Sequence, residues 1–222
     1  MISRKLALLA ASATLLIATP ALAVNTTFAQ FTQTNSDLVV DYSTTGTSNV
    51  MSIVDAPVFF VIQAFGPTGI YSAFLNVTAA SSTPVTNTGP QFEQVDWVGS
   101  YSFTNGTINY LTVNFFNAIV NVTGTGGAGS MFSTNELGLL NYTSNVIDVS
   151  GFTSENFALA FSAITPPFGI GADGYGTPFR ANVAGTFSAA VPEPSTWGLL
   201  LIGFAATGTA VRRRHTLPSV TA

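Results

Sequence analysis

Cysteine is absent from the 222 residues, and ionisable side chains are scarce. Without cysteine the chain forms no disulfide and offers no thiolate to a metal ion. Charged residues make up only 7% of the sequence, against roughly 25% in ordinary soluble domains. Such a chain must be held together by its apolar core, and 18 phenylalanines are available to build one.

Basic side chains are almost confined to the two ends of the chain. Residues 24–190 contain Arg180 as their single cation beside nine acidic residues, which by counting gives a net charge of about −8. Binding to a phosphate backbone requires a cationic patch, so we expect no nucleic-acid partner. The same negative charge disfavours adsorption of this region to anionic lipid.

Histidine and lysine each occur once, as His215 and Lys5, and both lie outside residues 24–190. That region therefore contains no histidine triad, no histidine zinc ligand and no lysine nucleophile. Its most noticeable carboxylate pair is Glu93 and Asp96, but a separation of three on a strand predicts opposite faces. A pair of carboxylates contributed by distant loops, as in glycosidases, stays open. We expect no catalytic residues, no metal site and no cofactor, and hence a protein that is not an enzyme.

Residues 1–23 have the parts of a signal peptide: a basic start, an apolar run, a helix-breaking proline and a small-residue cleavage site. They are Arg4 and Lys5, residues 6–18, Pro20, and Ala21 with Ala23. We expect a signal helix, delivery to the Sec export machinery, and cleavage after Ala23. An uncleaved membrane anchor is the alternative, and the shortness of the apolar run disfavours it.

Residues 191–215 combine a rigid turn, an apolar stretch and a basic cluster. Pro192 and Pro194 flank Glu193, fix φ and lack N–H donors, so the preceding structure should end there. Residues 197–211 carry no charge, and we expect a transmembrane helix that begins at the interfacial Trp197. That helix is about 22 Å long and falls short of the ~30 Å hydrocarbon core. Three basic side chains can snorkel to cover the gap, and their charge predicts that residues 212–222 stay in the cytoplasm: Arg212, Arg213 and Arg214.

These features, in this order, resemble a PEP-CTERM sorting signal in its PEPxxW variant: Pro192-Glu193-Pro194, then Trp197, an apolar helix and an arginine cluster. The resemblance covers residues 191–215, about a tenth of the chain. It implies recognition of the Pro-Glu-Pro motif by an exosortase, a membrane-embedded, transpeptidase-like enzyme, with the three arginines as the stop-transfer cluster. Such proteins occur in Gram-negative bacteria and are associated with exopolysaccharide and biofilm.

Two departures from the family pattern, Gly198 and the extension 216–222, leave the efficiency of processing open. An ordinary C-terminal anchor that is never cut is the alternative. Both interpretations place the rest of the chain outside the cell.

Hydrophobic alternation with a period of two recurs through residues 24–187, and no stretch favours a ten-residue helix. The clearest segments are 71–78, 107–115, 118–122, 157–163 and 179–187. Such segments, separated by glycine and proline, are typical of half-buried antiparallel strands. We therefore predict an all-β ectodomain, an antiparallel β-sandwich over residues 24–187 with the jelly roll as one form of it.

The segments between strands yield local predictions. Asn105-Gly106 predicts a tight type I′ hairpin. Residues 123–129 and 165–178 predict loops, and residues 188–196 a linker that carries the Pro-Glu-Pro motif. Residues 132–140 favour a short helix capped by Ser133.

Two kinds of ligand stay open. Calcium is suggested by Asp173 in the glycine-rich segment 171–176 and by Asp148 and Glu155 near a turn, although the alternating acids of an EF-hand loop are missing. Asp173 as a simple turn former explains the same pattern. Neutral sugar is suggested by strands rich in Asn and Thr and by aromatic rings, most of which we expect in the core with Tyr175 as the exception. These rings are Tyr71, Trp97, Tyr101, Tyr110, Tyr142 and Tyr175.

The sequence thus predicts an exported, non-enzymatic surface or matrix protein of a Gram-negative bacterium, made as a membrane-anchored precursor. Its expected partners are the Sec machinery, an exosortase-like enzyme, the inner membrane and exopolysaccharide. The structural or adhesive role rests on family association rather than on residues of the ectodomain. The alternative is a carbohydrate- or calcium-binding module, and an enzyme comes third.

Overall fold

The computed structural model describes residues 24–133, 139–191 and 202–205. These contain eleven β-strands and one helical segment, residues 202–205. The strands are β1 Val24–Gln33, β2 Val40–Thr44, β3 Asn49–Ile62, β4 Gly69–Ser81, β5 Thr86–Asn87, β6 Gln91–Asn105, β7 Ile108–Thr123, β8 Gly129–Phe132, β9 Leu140–Thr143, β10 Ser154–Thr165 and β11 Phe179–Val191. Asn25–Val191 forms a compact unit by itself. The all-β prediction for this region is confirmed.

Eight of the strands form a closed circuit of hydrogen-bonded neighbours, in the order β1-β3-β4-β6-β7-β8-β10-β11 and back to β1. The short strand β2 bridges β3 and β11, while β5 and β9 extend the sheet beside β6 and β7. Every strand pair with a described register is antiparallel, as predicted. The architecture differs from the predicted sandwich, because one sheet closes on itself instead of two sheets packing face to face. Closure leaves few unpaired strand edges.

The predicted alternation places the core inside the closed sheet. Along β10, Phe157, Leu159 and Phe161 are buried while Ala158 and Ala160 between them are exposed. In β11, every second residue from Phe179 to Phe187 is buried in the same way. Aromatic rings fill much of the interior, and the ring of Phe187 lies 5.5–6.4 Å from five others: Phe28, Phe31, Phe60, Tyr101 and Phe103. Burial of these rings supplies the stabilisation that disulfides provide in other exported proteins.

Four long strands, β3, β6, β7 and β10, change face at β-bulges. In β7, Phe115 and Ala118 are both buried although they are three positions apart, and Asn117 between them has φ of 59°. A bulge inserts one extra residue and so shifts the inward parity. The two segments predicted around residues 107–115 and 118–122 are therefore one strand.

The bulge in β6 corrects a prediction about carboxylates. Gln94 and Trp97 are both buried, and Asp96 has φ of 59°. The inward-facing residues Gln94 and Trp97 are three positions apart, and each is directly preceded by an acid. Glu93 and Asp96 therefore both lie on the outer face of the sheet. The prediction that these two acids lie on opposite faces is wrong, since it assumed an unbroken period of two.

Three local predictions change as well. The β6–β7 turn is tight, but its central residues are Gly106 and Thr107, and the positive φ belongs to Gly106 alone, at 63°. That pattern fits a type II′ turn rather than type I′. Strand β11 runs to Val191, so residues 188–191 are strand and not linker. Of the predicted helix 132–140, Phe132 ends β8 and Leu140 begins β9, while residues 134–138 lie outside the described residues.

The predicted loop 165–178 is confirmed from residue 166 onward, since Thr165 ends β10. A buried polar network anchors this loop. Gln94 accepts a hydrogen bond from the Tyr42 hydroxyl at 2.7 Å and donates to Asn49 Oδ1 at 3.1 Å and to the Thr83 carbonyl at 2.7 Å. Asn49 donates to the Gly176 carbonyl and accepts from the Gly176 N–H, both at 3.0 Å. Asn49 and Gln94 are almost fully buried, so these bonds satisfy groups that water does not reach.

Candidate functional site

The folded unit ends directly before the candidate sorting motif. The carbonyl of Ala190 accepts two hydrogen bonds from Thr153, from its N–H at 2.9 Å and its hydroxyl at 3.0 Å. Val191 is the last residue of β11, and Pro192 follows it in the chain. The core of the sheet and the Pro-Glu-Pro motif are therefore adjacent in sequence, with no spacer between them.

The residues predicted to carry export and sorting lie outside the described residues. They are Ala21, Ala23, Pro192, Glu193, Pro194, Trp197, Arg212, Arg213 and Arg214. Within the predicted transmembrane segment 197–211, residues 202–205 are helical, and Ile202 and Phe204 are 66% and 69% exposed. No helix in the described part of the chain is both long and apolar enough to cross a bilayer.

The acidic residues considered as calcium ligands serve local turns. Asp173 Oδ1 accepts from the Tyr175 N–H at 3.0 Å, and Asp148 Oδ1 accepts from both the N–H and the hydroxyl of Ser150 at 3.1 and 2.6 Å. The Ser150 bonds hold the pKa of Asp148 below its ordinary value. Within residues 24–133, 139–191 and 202–205, no three His, Asp or Glu side chains are grouped closely enough to hold a metal ion. The geometry favours the turn-forming interpretation of Asp173.

Glu155 is the acid with the most perturbed environment. It lies on β10 opposite Ala189 of β11, and its half-burial raises the pKa of its carboxyl to about 7. The neighbouring Tyr142 has a pKa well above its ordinary value because of its own burial and the negative charge of Glu155. Its hydroxyl donates to the Asn156 carbonyl at 2.6 Å. This places a carboxyl that titrates near neutrality beside the end of β11.

The aromatic rings considered as sugar platforms are mostly core, as expected. Trp97, Tyr101, Tyr110 and Tyr142 are at most 5% exposed. Tyr71 and Tyr175 are half-buried, and their hydroxyls donate to the carbonyls of Pro67 and Ser82 at 2.8 and 3.0 Å. None of the four buried rings is accessible to a ligand on the surface.

The Asn- and Thr-rich strand surface that the sequence suggested, without locating its residues, lies on the outside of β4, β6, β7 and β9. Two cross-strand rows, which we call the outer polar face, consist only of Ser, Thr and Asn. The first row is Asn76, Ser102, Thr112 and Thr143, and the second is Thr78, Ser100, Asn114 and Asn141. All eight side chains are exposed or half-buried. In the sequence, these residues are the outward-facing positions of strands whose hydrophobicity alternates. The sequence does not show the strand register that aligns them in rows.

The single cation of the ectodomain lies in a separate groove. Arg180 of β11 is the cross-strand partner of Asp41 on β2, and with Asp37 they line a depression of about 600 Å³. The remaining lining side chains are Leu38, Val39, Ser52 and Val54. Two carboxylates and one guanidinium line this groove, so its net charge does not favour an anionic ligand.

Comparison with known proteins identifies a sorting motif in the C-terminal part of the chain. Residues 190–214 match the PEP-CTERM protein-sorting motif, a range that contains the Pro-Glu-Pro triplet, Trp197 and the three arginines. No curated protein and no solved structure matches the chain. The predicted resemblance is confirmed, and the motif implies Sec-type export, a membrane-anchored precursor and exosortase-type processing.

Proposed function

We propose, from the PEP-CTERM sorting motif that the chain carries at residues 190–214, that it is a non-enzymatic structural or adhesive protein of a bacterial cell surface. The precursor is exported, held in the inner membrane by its C-terminal segment, and processed by an exosortase of a Gram-negative bacterium. The closed sheet is then delivered to the surface or to the extracellular matrix. The observation that carries the proposal is the motif, at the C-terminal end of a chain that begins with a signal-like segment.

The chemistry of the ectodomain supports a non-enzymatic role. Residues 24–190 contain no histidine, lysine or cysteine. Asp96, Asp148 and Asp173 each accept hydrogen bonds from nearby turn or loop residues, which is a structural use. A closed, aromatic-filled sheet without disulfides suits a protein that must remain folded outside the cell in any redox environment.

The test compares a motif variant with a matched control in cells that contain or lack the exosortase. Replacement of Pro192, Glu193 and Pro194 by alanine removes the motif, while Pro218→Ala changes a proline beyond the arginine cluster. We expect wild-type and Pro218→Ala chains to reach the surface, as measured by protease shaving of intact cells and fractionation. The motif variant, and the wild type in cells lacking the exosortase, should accumulate in the inner membrane. Equal surface display of the wild type, the Pro218→Ala chain and the motif variant, with or without the exosortase, would contradict the proposal.

A second candidate function is a module that binds neutral carbohydrate. It is favoured by one observation, the outer polar face, where eight uncharged hydroxyl and amide side chains form two aligned rows. Calcium binding has no comparable support, because Asp148 and Asp173 are engaged in turns.

A further inference from the structure

We propose that the outer polar face binds an uncharged, hydroxyl-rich polysaccharide laid across β4, β6, β7 and β9. This deepens the carbohydrate-binding candidate of the proposed function and rests on it. The inference depends on four properties of the face: its regular spacing, its free hydrogen-bonding groups, its lack of charge and the exposed aromatic ring at its border.

The spacing follows from the register of the four strands. Ser100 lies opposite Thr78 on one side and Asn114 on the other, and Asn114 lies opposite Asn141. Neighbouring strands are about 4.8 Å apart and alternate residues of a strand about 6.7 Å apart, so each row spans about 14 Å. An extended polymer meets a repeated set of donors and acceptors on such a surface, instead of a single pocket.

The hydrogen-bonding groups of this face are largely unused by the protein. Asn76 pairs with Asp55, and Thr112 donates to Asn109. Among the described residues, the side chains of Thr78, Ser100 and Asn114 have no hydrogen-bond partner, and the same is true of Ser102, Asn141 and Thr143. Water now solvates them, and sugar hydroxyls can replace that water with little net loss. Elsewhere, by contrast, many polar side chains are engaged in turns or in the buried network.

The charge of the ectodomain determines which class of polymer the outer polar face can bind. No residue of the two rows is ionisable, and the ectodomain around them carries nine acids against one cation. An anionic polysaccharide, a nucleic acid or an anionic membrane is repelled by that balance. A neutral glycan is not repelled, because it binds by hydrogen bonds and ring contacts that do not depend on salt.

An exposed ring supplies the apolar contact that sugars require. Phe116 follows Asn114 by two residues on the same side of β7, just before the bulge, and it is 50% exposed. Beside it on β6 is Val98, which is 47% exposed. The C–H faces of pyranose rings pack against such side chains while their hydroxyls reach the polar rows.

The test uses co-sedimentation of the purified full-length chain, in mild detergent, with three insoluble neutral probes: microcrystalline cellulose, curdlan and cross-linked galactomannan. Alginate beads serve as the anionic comparison. We expect saturable binding to at least one neutral probe, unchanged between low and high salt, and none to alginate. Phe116→Ala and the double variant Ser100→Ala with Asn114→Ala should each weaken that binding about fivefold or more, the scale of a lost ring contact.

Phe59→Ala is the matched control, since Phe59 is 45% exposed but lies on the outside of β3. It should bind within about twofold of the wild type, and all variants should keep the wild-type circular dichroism spectrum. Failure to bind any neutral probe, or weakening of the binding by Phe59→Ala equal to that by Phe116→Ala, would overturn the proposal. Because this assay does not require export, its failure leaves the sorting experiment unaffected, and the reverse also holds.

Discussion

Asn49→Ala tests whether the buried polar network holds the loop between β10 and β11 on the sheet. The substitution removes the partner of both the N–H and the carbonyl of Gly176, which is itself buried. Each buried group left without a partner costs roughly 1–3 kcal/mol, so we expect the free energy of unfolding to fall by about 4 kcal/mol. For a domain of this size that corresponds to a drop in melting temperature of roughly 8–16 °C.

The assay is thermal unfolding of the purified chain, followed by near-ultraviolet circular dichroism of its many buried rings. Asn114→Ala on the outer polar face is the matched control, because the same side chain is removed from an exposed strand position. It should change the free energy of unfolding by no more than about 0.5 kcal/mol. If Asn49→Ala unfolds within a degree or two of the wild type, the network does not stabilise the fold as we argue.

Further predictions concern backbone contacts and one carboxyl. Gly99→Ala should destabilise the chain by about 3 kcal/mol or more in urea unfolding, because the new Cβ would lie 2.6 Å from the Ala79 Cα and collide with the Thr78 carbonyl oxygen; a change under about 1 kcal/mol would contradict this packing. Gly106→Ala meets no neighbour within 4 Å, so only its positive φ matters and the loss should be about 1–2 kcal/mol; a neutral result would argue against the type II′ turn. The raised pKa of Glu155 means that the folded state binds its proton more tightly than the unfolded state. The contribution of Glu155 to the free energy of unfolding should therefore be largest below pH 4.5. It should decline as the pH rises to about 7. Solvent reaches the half-exposed carboxyl, so the decline is about 1 kcal/mol, and Glu155→Gln should abolish it; an identical pH profile of the two chains would refute the assignment.

Much of the strand pattern was predictable because the ectodomain is built from half-buried strands. In β10 and β11, residues such as Phe157 and Phe187 alternate with small or polar ones, and burial follows that alternation directly. Export and sorting were predictable for a different reason. Their features, such as Pro192-Glu193-Pro194 and the arginine cluster, are contiguous in sequence and need no tertiary structure to be recognised.

The closure of the sheet and the outer polar face were not predictable from such local patterns. One residue in a left-handed backbone conformation, Asn117 or Asp96, reverses the inward parity of a strand. Asn and Asp adopt this conformation more readily than most residues, but most of them do not, so the residue type alone did not mark either position. The pairing of β1 with β11 joins the two ends of the ectodomain, for which alternation carries no information. The row from Thr78 to Asn141 likewise depends on three separate strand registers. A one-residue slip in any of them would break it.

Intact mass spectrometry of the protein recovered from the surface of exosortase-containing cells tests the central claim most directly. The account predicts a chain that begins at Val24 and ends near Pro194, without residues 197–222. The same analysis in cells lacking the enzyme should find the C-terminal segment still attached. A full-length mass, with both ends uncut, for the protein recovered from exosortase-containing cells would contradict the account.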